Sequence, residues 1–428
     1  RHGDGTKGWG EHAPFDGIQV AAGGIEIPEA LKEQLATSGN LVIPIGEEAR
    51  FQELLRLTKL ENGELEEERL GAVRFVPLVR GIPEPESVEP MPKEIPLVKE
   101  IENSVEIIPS IEDVDLLPLL DRVSEARVIL LGEATHGTSE FYRMRARITQ
   151  ELIENHGVNI IAVEADWPDA ARIDQYVRQT DVETGDSHPF QRFPTWMWAN
   201  EEVLEFVEWL KVYNRDRADD EPSVGFYGLD LYSMYSSIDA VLNYLDSVDP
   251  GTAKIARQRY GCLTPWEQEP SAYGAAALRG QYEACERDVI ANLKDLLKKQ
   301  IEFVGEDGFR FMNAVQNARV VANAERYYRA MYYGGHQSWN LRDQHMFDTL
   351  TALLAFHGDA ARAVVWEHNS HIGDARATEM SARGEHNVGQ LARQEFDDGA
   401  YLIGFGTDHG TVAAASDWGG PMEVTTVR

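Results

Sequence analysis

Apolar positions along this chain follow two rhythms. Five short runs are apolar throughout: VILLG (128–132), NIIAVE (159–164), VGFYGLD (224–230), AVVWEH (363–368) and YLIGFG (401–406). Continuous β-branched and apolar runs of this length read as strands buried on both faces. Between them lie longer stretches with helical spacing. FRFMNAVQNARVVANAERYYRAM (309–331) is amphipathic and rich in alanine. Phe141, Met144, Ile148 and Leu152 form one stripe, which predicts a helix starting at Thr138 or Ser139, ending at His156 and stopped by Gly157. The alternation from about residue 113 to 428 predicts an α/β fold, a mainly parallel sheet flanked by long helices.

The first 80 residues read as a separate small α/β piece. FDGIQVAAG (15–23) is a strand closed by glycines, EALKEQLATSG (29–39) a helix stopped by Gly39, and NLVIPIG (40–46) a second strand. FQELLRLTKL and GELEEERLGAVRFVPLV read as a hairpin about Asn62-Gly63. Residues 81–112 differ. Pro83, Pro85, Pro90, Pro92, Pro96 and Pro109 sit among Glu and Lys, which predicts an extended linker.

The polar residues that close the five runs carry the candidate chemistry. Glu133 and His136 follow the first, Glu164 ends the second, Asp230 the third, and Glu367, His368 and His371 lie at or beyond the fourth. In an open parallel sheet the carboxyl ends of the strands share one edge, where ligands bind. That rule brings Glu133, His136, Glu164, Asp230, His368 and His371 towards one crevice. A histidine held by a carboxylate is a general base for water. Arg143 and Arg147 share a helix face with Glu140; either could reach the crevice to stabilise an oxyanion, or all three could form a solvated surface ladder. Trp196 and Trp198 precede a helix whose core spacing begins at Val203, and they are candidates for an apolar substrate wall. In WNLRDQHM (339–346) Arg342 is a substrate contact or the partner of Asp343. Three histidines and two glutamates leave a divalent metal open, although no HExxH helix fixes a geometry.

Charge narrows the partners. The formal net charge of −32 argues against nucleic acid and anionic membranes. No run is long enough for a membrane span. The two cysteines, Cys262 and Cys285, suggest no disulfide framework and hence a reducing cytoplasm. No GxSxG elbow, P-loop or GxGxxG occurs. Oligomeric state is not readable.

LLGEATHGTSEFYRMRARI, IIAVEADWPDA, FPTWMWANEEV, YGLDLYSM, NLRDQHM and WEHNSHIGDA, in that order, resemble the motif series of the erythromycin esterase family over residues 113–428. The resemblance implies ester or lactone hydrolysis without a serine nucleophile. His136 would activate water beside Glu133, Glu164 would be the second acid, and His368 or His371 would assist. Arg143, Trp196, Trp198, Asp230 and Arg342 would then bind an ester or macrolide-like substrate. RHGDGTKGW, APFDGIQVAAG, IPEALKEQLATSGNLVIPIG and LEEERLGAVRFVPLV resemble the carboxyl-terminal half of protein-L-isoaspartate O-methyltransferase. That resemblance makes Gly3, Asp4 and Gly5 a remnant of an S-adenosylmethionine pocket. It also implies a fusion whose methyltransferase half is incomplete in residues 1–80.

Overall fold

The computed structural model describes residues 4–46, 52–73, 78, 97–178, 195–218, 221–332, 335–416 and 420–427. The chain divides into two compact units, Arg1–Glu106 and Ile107–Arg428.

In the first unit four strands pair in sequence order: β1 (Phe15–Gln19), β2 (Leu35–Ile45), β3 (Gln52–Lys59) and β4 (Leu65–Val73). The expected hairpin is present. β3 and β4 are antiparallel, Gly63 adopts the left-handed φ of 83°, and Asn62 accepts from the Glu64 backbone at 3.0 Å. The expected helix is cut short. It spans only Glu29–Glu33, and β2 takes over at Leu35, which pairs with Phe15. The Gln34 side chain ties Lys7 and Trp9 to this junction, so tertiary pairing overrides the helical spacing. The expected extended linker also needs correction. Much of it lies outside the described residues, but Leu97–Ser104, past the last closely spaced proline, is a helix.

The second unit is built on five parallel strands in the order β7-β6-β8-β5-β9. They are β5 (Val128–Leu131), β6 (Ile160–Asp166), β7 (Gly225–Asp230), β8 (Ala363–Trp366) and β9 (Ala400–Ile403). All five coincide with the five apolar runs. Every residue of β5 to β8 is buried, because helices cover both faces. Ile129, Leu131, Val163 and Trp366 pack into one layer; Val128, Leu130, Ala162 and Val365 pack into the other. The helix Ser139–His156 starts and stops where the pattern placed it, with Gly157 in the left-handed region. Between β7 and β8 the chain inserts a helical layer with its own core, ending in the long helices Gln300–Ala330 and Gly335–His357. Cys262 and Cys285, from which no disulfide framework was expected, are paired in this layer across 23 residues of chain. A hairpin of β10 (Gly410–Ala414) and β11 (Glu423–Val427) follows the sheet. Among the described residues no helix is long and apolar enough to cross a membrane.

Candidate active site

The order of the strands decides what meets. β8 lies between β6 and β5, so the chain segments leaving β5, β6, β7 and β8 open on one crevice. After β5 the chain turns at Gly132, where a Cβ would collide with the Asn369 side chain. Glu133 follows and is fully buried. Its Oε1 lies 2.9 Å from His136 Nδ1, and its Oε2 accepts from Arg145 Nη2 at 2.8 Å. A carboxylate accepts, so the ring proton sits on Nδ1 and leaves a lone pair on Nε2. The His136 side chain is 26% exposed. Burial disfavours its charge, but the Glu133 hydrogen bond and the Glu164 charge outweigh burial and raise its proton affinity above the ordinary histidine value. Gly137 beside it is a true close approach: a Cβ would collide with the Ala413 carbonyl, and Ala413 N–H donates to Gly137 O at 2.9 Å.

A second histidine network fills the floor. Arg342 donates from Nε and Nη2 to both oxygens of Asp230, at 3.0 and 2.6 Å, and from Nη2 to Glu164 Oε1 at 2.7 Å. His371 gives Nδ1–H to Asp343, with both carboxylate oxygens at 3.0 Å. Its Nε2 faces Glu164 Oε1 at 3.3 Å and Arg342 Nη1 at 3.0 Å. Burial and Arg342 oppose charge on this ring, yet Glu164 and Asp343 prevail and push His371 up to about 10. Burial alone would raise Glu164, but His371 and Arg342 hold its carboxylate well below the usual range. Burial pushes Asp343 up. Behind them Glu367 is fully buried, and neither carboxyl oxygen has a hydrogen-bond partner. Burial pushes its acid well above the usual range, so it keeps its proton.

Glu133, His136, Glu164, Asp230, Arg342 and His371 are thus drawn into one place. His368 N–H donates to Glu164 Oε2 at 2.9 Å, and its ring stands 5.0 Å from that of His136. The His368 ring itself is spent on local structure: Nδ1 accepts from Ser370 N–H at 3.2 Å, capping the helix Asn369–Ile372, and Nε2–H reaches Ala134 O at 3.0 Å. Of the two histidines in that motif, His371 is the one embedded in the charged network.

Four expectations are corrected. Arg143 is an exposed residue paired with Glu112, and Arg147 donates to the Ile111 and Val114 carbonyls. The arginine that reaches the crevice is Arg145, packed 4.6 Å over the Tyr142 ring and 5.1 Å over Trp366. Its signal was a charge on the apolar face of its helix. Trp198 is core, 5% exposed, with Nε1–H on the Glu164 carbonyl at 3.0 Å; Trp196 packs partly buried beside it. Arg342 pairs with Asp230 and Glu164, and Asp343 is the partner of His371 instead. Asp230 is 5% exposed and holds Arg342, so it supports the site from within.

For the implied cofactor and metal the residues say less. Gly3 lies outside the described residues, Asp4 caps its own turn through Thr6 N–H at 2.9 Å, and Gly5 opens that turn. Asp4 and Gly5 alone do not fit S-adenosylmethionine. Among the described residues no three His, Cys, Asp or Glu side chains are disposed around a common ion.

A buried parallel sheet with ionised carboxylates, arginines and histidines at its carboxyl edge defines an α/β protein built for polar chemistry in a crevice. The family profile described as erythromycin esterase matches residues 153–428, and the chain belongs to that family. The match begins within the helix that follows the Glu133–His136 turn. Three solved structures share the fold. A succinoglycan biosynthesis protein aligns with TM-score 0.64 and 21% identity, covering 78% of this chain and 80% of that one. A protein from Bacillus cereus gives 0.65 and 20%, covering 78% and 79%. An erythromycin esterase mutant in its open conformation gives 0.56 and 17%, covering 74% and 80%. A second profile, protein-L-isoaspartate(D-aspartate) O-methyltransferase, matches residues 1–82. Over 76 residues there, the chain is 58% identical to protein-L-isoaspartate O-methyltransferase 2 of Marinobacter nauticus and 54% identical to the enzyme of Rhodopseudomonas palustris. Those stretches are 18% of this chain and 35% of each relative, so the chain spans about a third of their length. The chain therefore joins part of a methyltransferase domain to an erythromycin esterase domain.

Proposed function

We propose that the crevice hydrolyses an ester or lactone, with His136 Nε2 as the general base that takes a proton from water. The observation that carries this reading is the Glu133–His136 pair: Nδ1 is tied at 2.9 Å while the ring remains 26% exposed. The water oxygen attacks the ester carbonyl, its proton passes to His136, and that proton returns to the leaving alcohol. Arg342 supplies positive charge near the developing oxyanion, and Glu164 and Asp230 hold it in place. No nucleophilic serine or cysteine is needed. Membership of the family supports a macrolide-like lactone as one substrate class to try.

The test is mass spectrometry of a macrolide and a panel of simple esters after incubation with the full-length protein and its His136→Ala variant. Gain of one water, lost in the variant, supports the reading. Turnover that survives in the variant removes His136 as base, and absence of any turnover favours a ligand-binding module.

The likeness of residues 1–82 to the methyltransferases supports a second reading, repair methylation by the full-length protein. Failure of that protein to transfer a methyl group from S-adenosylmethionine to an isoaspartyl peptide would remove it.

A further inference from the structure

The helix Gly335–His357 feeds the crevice from three positions on one face. Asp343 takes the Nδ1 proton of His371, Arg342 clamps Asp230 and Glu164, and Trp339, three and four residues earlier, lays its indole on the His371 ring. The two rings are 4.6 Å apart and 5° from parallel. The indole is itself anchored. Its Nε1–H donates to His386 O at 2.8 Å. The neighbouring Asn340 grips the same loop through Gly384 O at 2.9 Å and His386 N–H at 3.0 Å.

The titratable and charged groups that face His371 come from three elements: Glu164 on β6, Arg342 and Asp343 on the helix, and the protonated, neutral Glu367 just past β8. The hydrogen-bonding groups meet the ring at its edge, where its nitrogens are. Trp339 meets its face. An edge-bound imidazole can still tilt about its Nδ1···Asp343 bond, and tilting would move Nε2 away from Glu164. A rigid aromatic plate on the ring face removes that freedom and favours the charged ring, as cations are held over indole faces.

We propose that Trp339 is a positioning residue of the hydrolytic site: its indole fixes the plane of the His371 ring and, through that ring, the Glu164 carboxylate that Arg342 grips. The inference rests on the hydrolytic reading of the crevice, but its test does not. Histidine ring resonances of the full-length protein are titrated by NMR in wild type, Trp339→Leu, Trp339→Met, Trp339→Phe and Asn340→Ala. In wild type the His371 midpoint is expected far above the ordinary histidine value, at about 10. In the Leu and Met variants that midpoint falls by about one unit. Phe restores most of it, and Asn340→Ala, which loosens the loop without touching the ring, leaves it in place. With p-nitrophenyl acetate as probe, the Leu variant loses about tenfold in kcat with KM held, and Phe rescues it. An unchanged His371 midpoint in folded Leu and Met variants would overturn the proposal. So would an Asn340→Ala midpoint that falls as far as that of the Leu variant. If wild type hydrolyses neither this probe nor any of the macrolide and ester panel while the midpoints move as stated, the hydrolytic reading fails and the ring-fixing role of Trp339 stands.

Discussion

Two histidine–carboxylate pairs sit side by side in this crevice and are fitted for different work. His136 has one carboxylate partner, Glu133, which is itself shared with Arg145, and a quarter of the ring's surface is open. His371 is 3% exposed and lies between two carboxylates, Asp343 and Glu164, with Arg342 against its second nitrogen. The same side-chain pair thus yields a partly open ring, the proposed base, and a buried ring held in its charged form. Burial lowers the proton affinity of both rings; the number and placement of carboxylates decide how far each recovers. A carboxylate beside a histidine is therefore not by itself a catalytic sign.

The comparison breaks most visibly at His136. His136→Ala lowers kcat/KM for any hydrolysed ester by about 10²–10⁴-fold, measured by steady-state kinetics, with the melting temperature little changed. Equal losses of rate and stability would put His136 in the scaffold too. Arg342→Ala does the reverse in the fold. It leaves Asp230 buried without its cation and Glu164 with His371 alone as cation, and costs about 3–5 kcal/mol in denaturant unfolding. Arg342→Lys recovers little of this, because one ammonium cannot reproduce the fork on Asp230 and Glu164.

The dependence of stability on pH sharpens the same contrast. The folded-state proton affinity of His371 is raised, so its contribution is fully present below its unfolded value of about 6.5 and is lost as pH rises through about 10. Glu164 is lowered, so its contribution is present above its unfolded value of about 4.3 and is lost on acidification. Thermal melts across pH should therefore fall off on both sides, and His371→Gln should flatten the alkaline side. The smallest effect is expected at Glu367. It already holds its proton and makes no side-chain hydrogen bond, so Glu367→Gln, of the same shape, should change stability by no more than about 1 kcal/mol in chemical unfolding. A loss of several kcal/mol would mean that this carboxyl is charged and paired.

The reach of the sequence follows from which physical signals are one-dimensional. The five central strands, the helix from Ser139 and the hairpin at Asn62-Gly63 were legible because burial on two faces, caps and turn residues leave local marks. The convergence of Glu133, Glu164, Asp230 and the His368–His371 motif followed from one rule about strand ends. What escaped needed rotation or pairing. Arg143 and Arg145 differ by half a turn of helix, and only the phase set by Phe141 and Ile148 tells which faces inward. Asp343 belongs to His371 rather than to its neighbour Arg342, whose guanidinium is taken by Asp230 and Glu164 from two strands. The helix expected over 29–39 stopped at Glu33 because β1 offered Leu35 a partner that no local pattern announces. The separate roles of His368 and His371 rest on a backbone carbonyl, Ala134 O, and on a distant aspartate.

The measurement that bears most directly on His136 as base is the pH–rate profile of ester hydrolysis by the full-length protein, from about pH 5 to about pH 9. The account predicts a single ascending limb with its midpoint above the ordinary histidine value of 6.5, because the neutral ring is the active form and Glu133 and Glu164 raise its proton affinity. A rate that stays flat across that range, or falls as pH rises through it, would contradict the account.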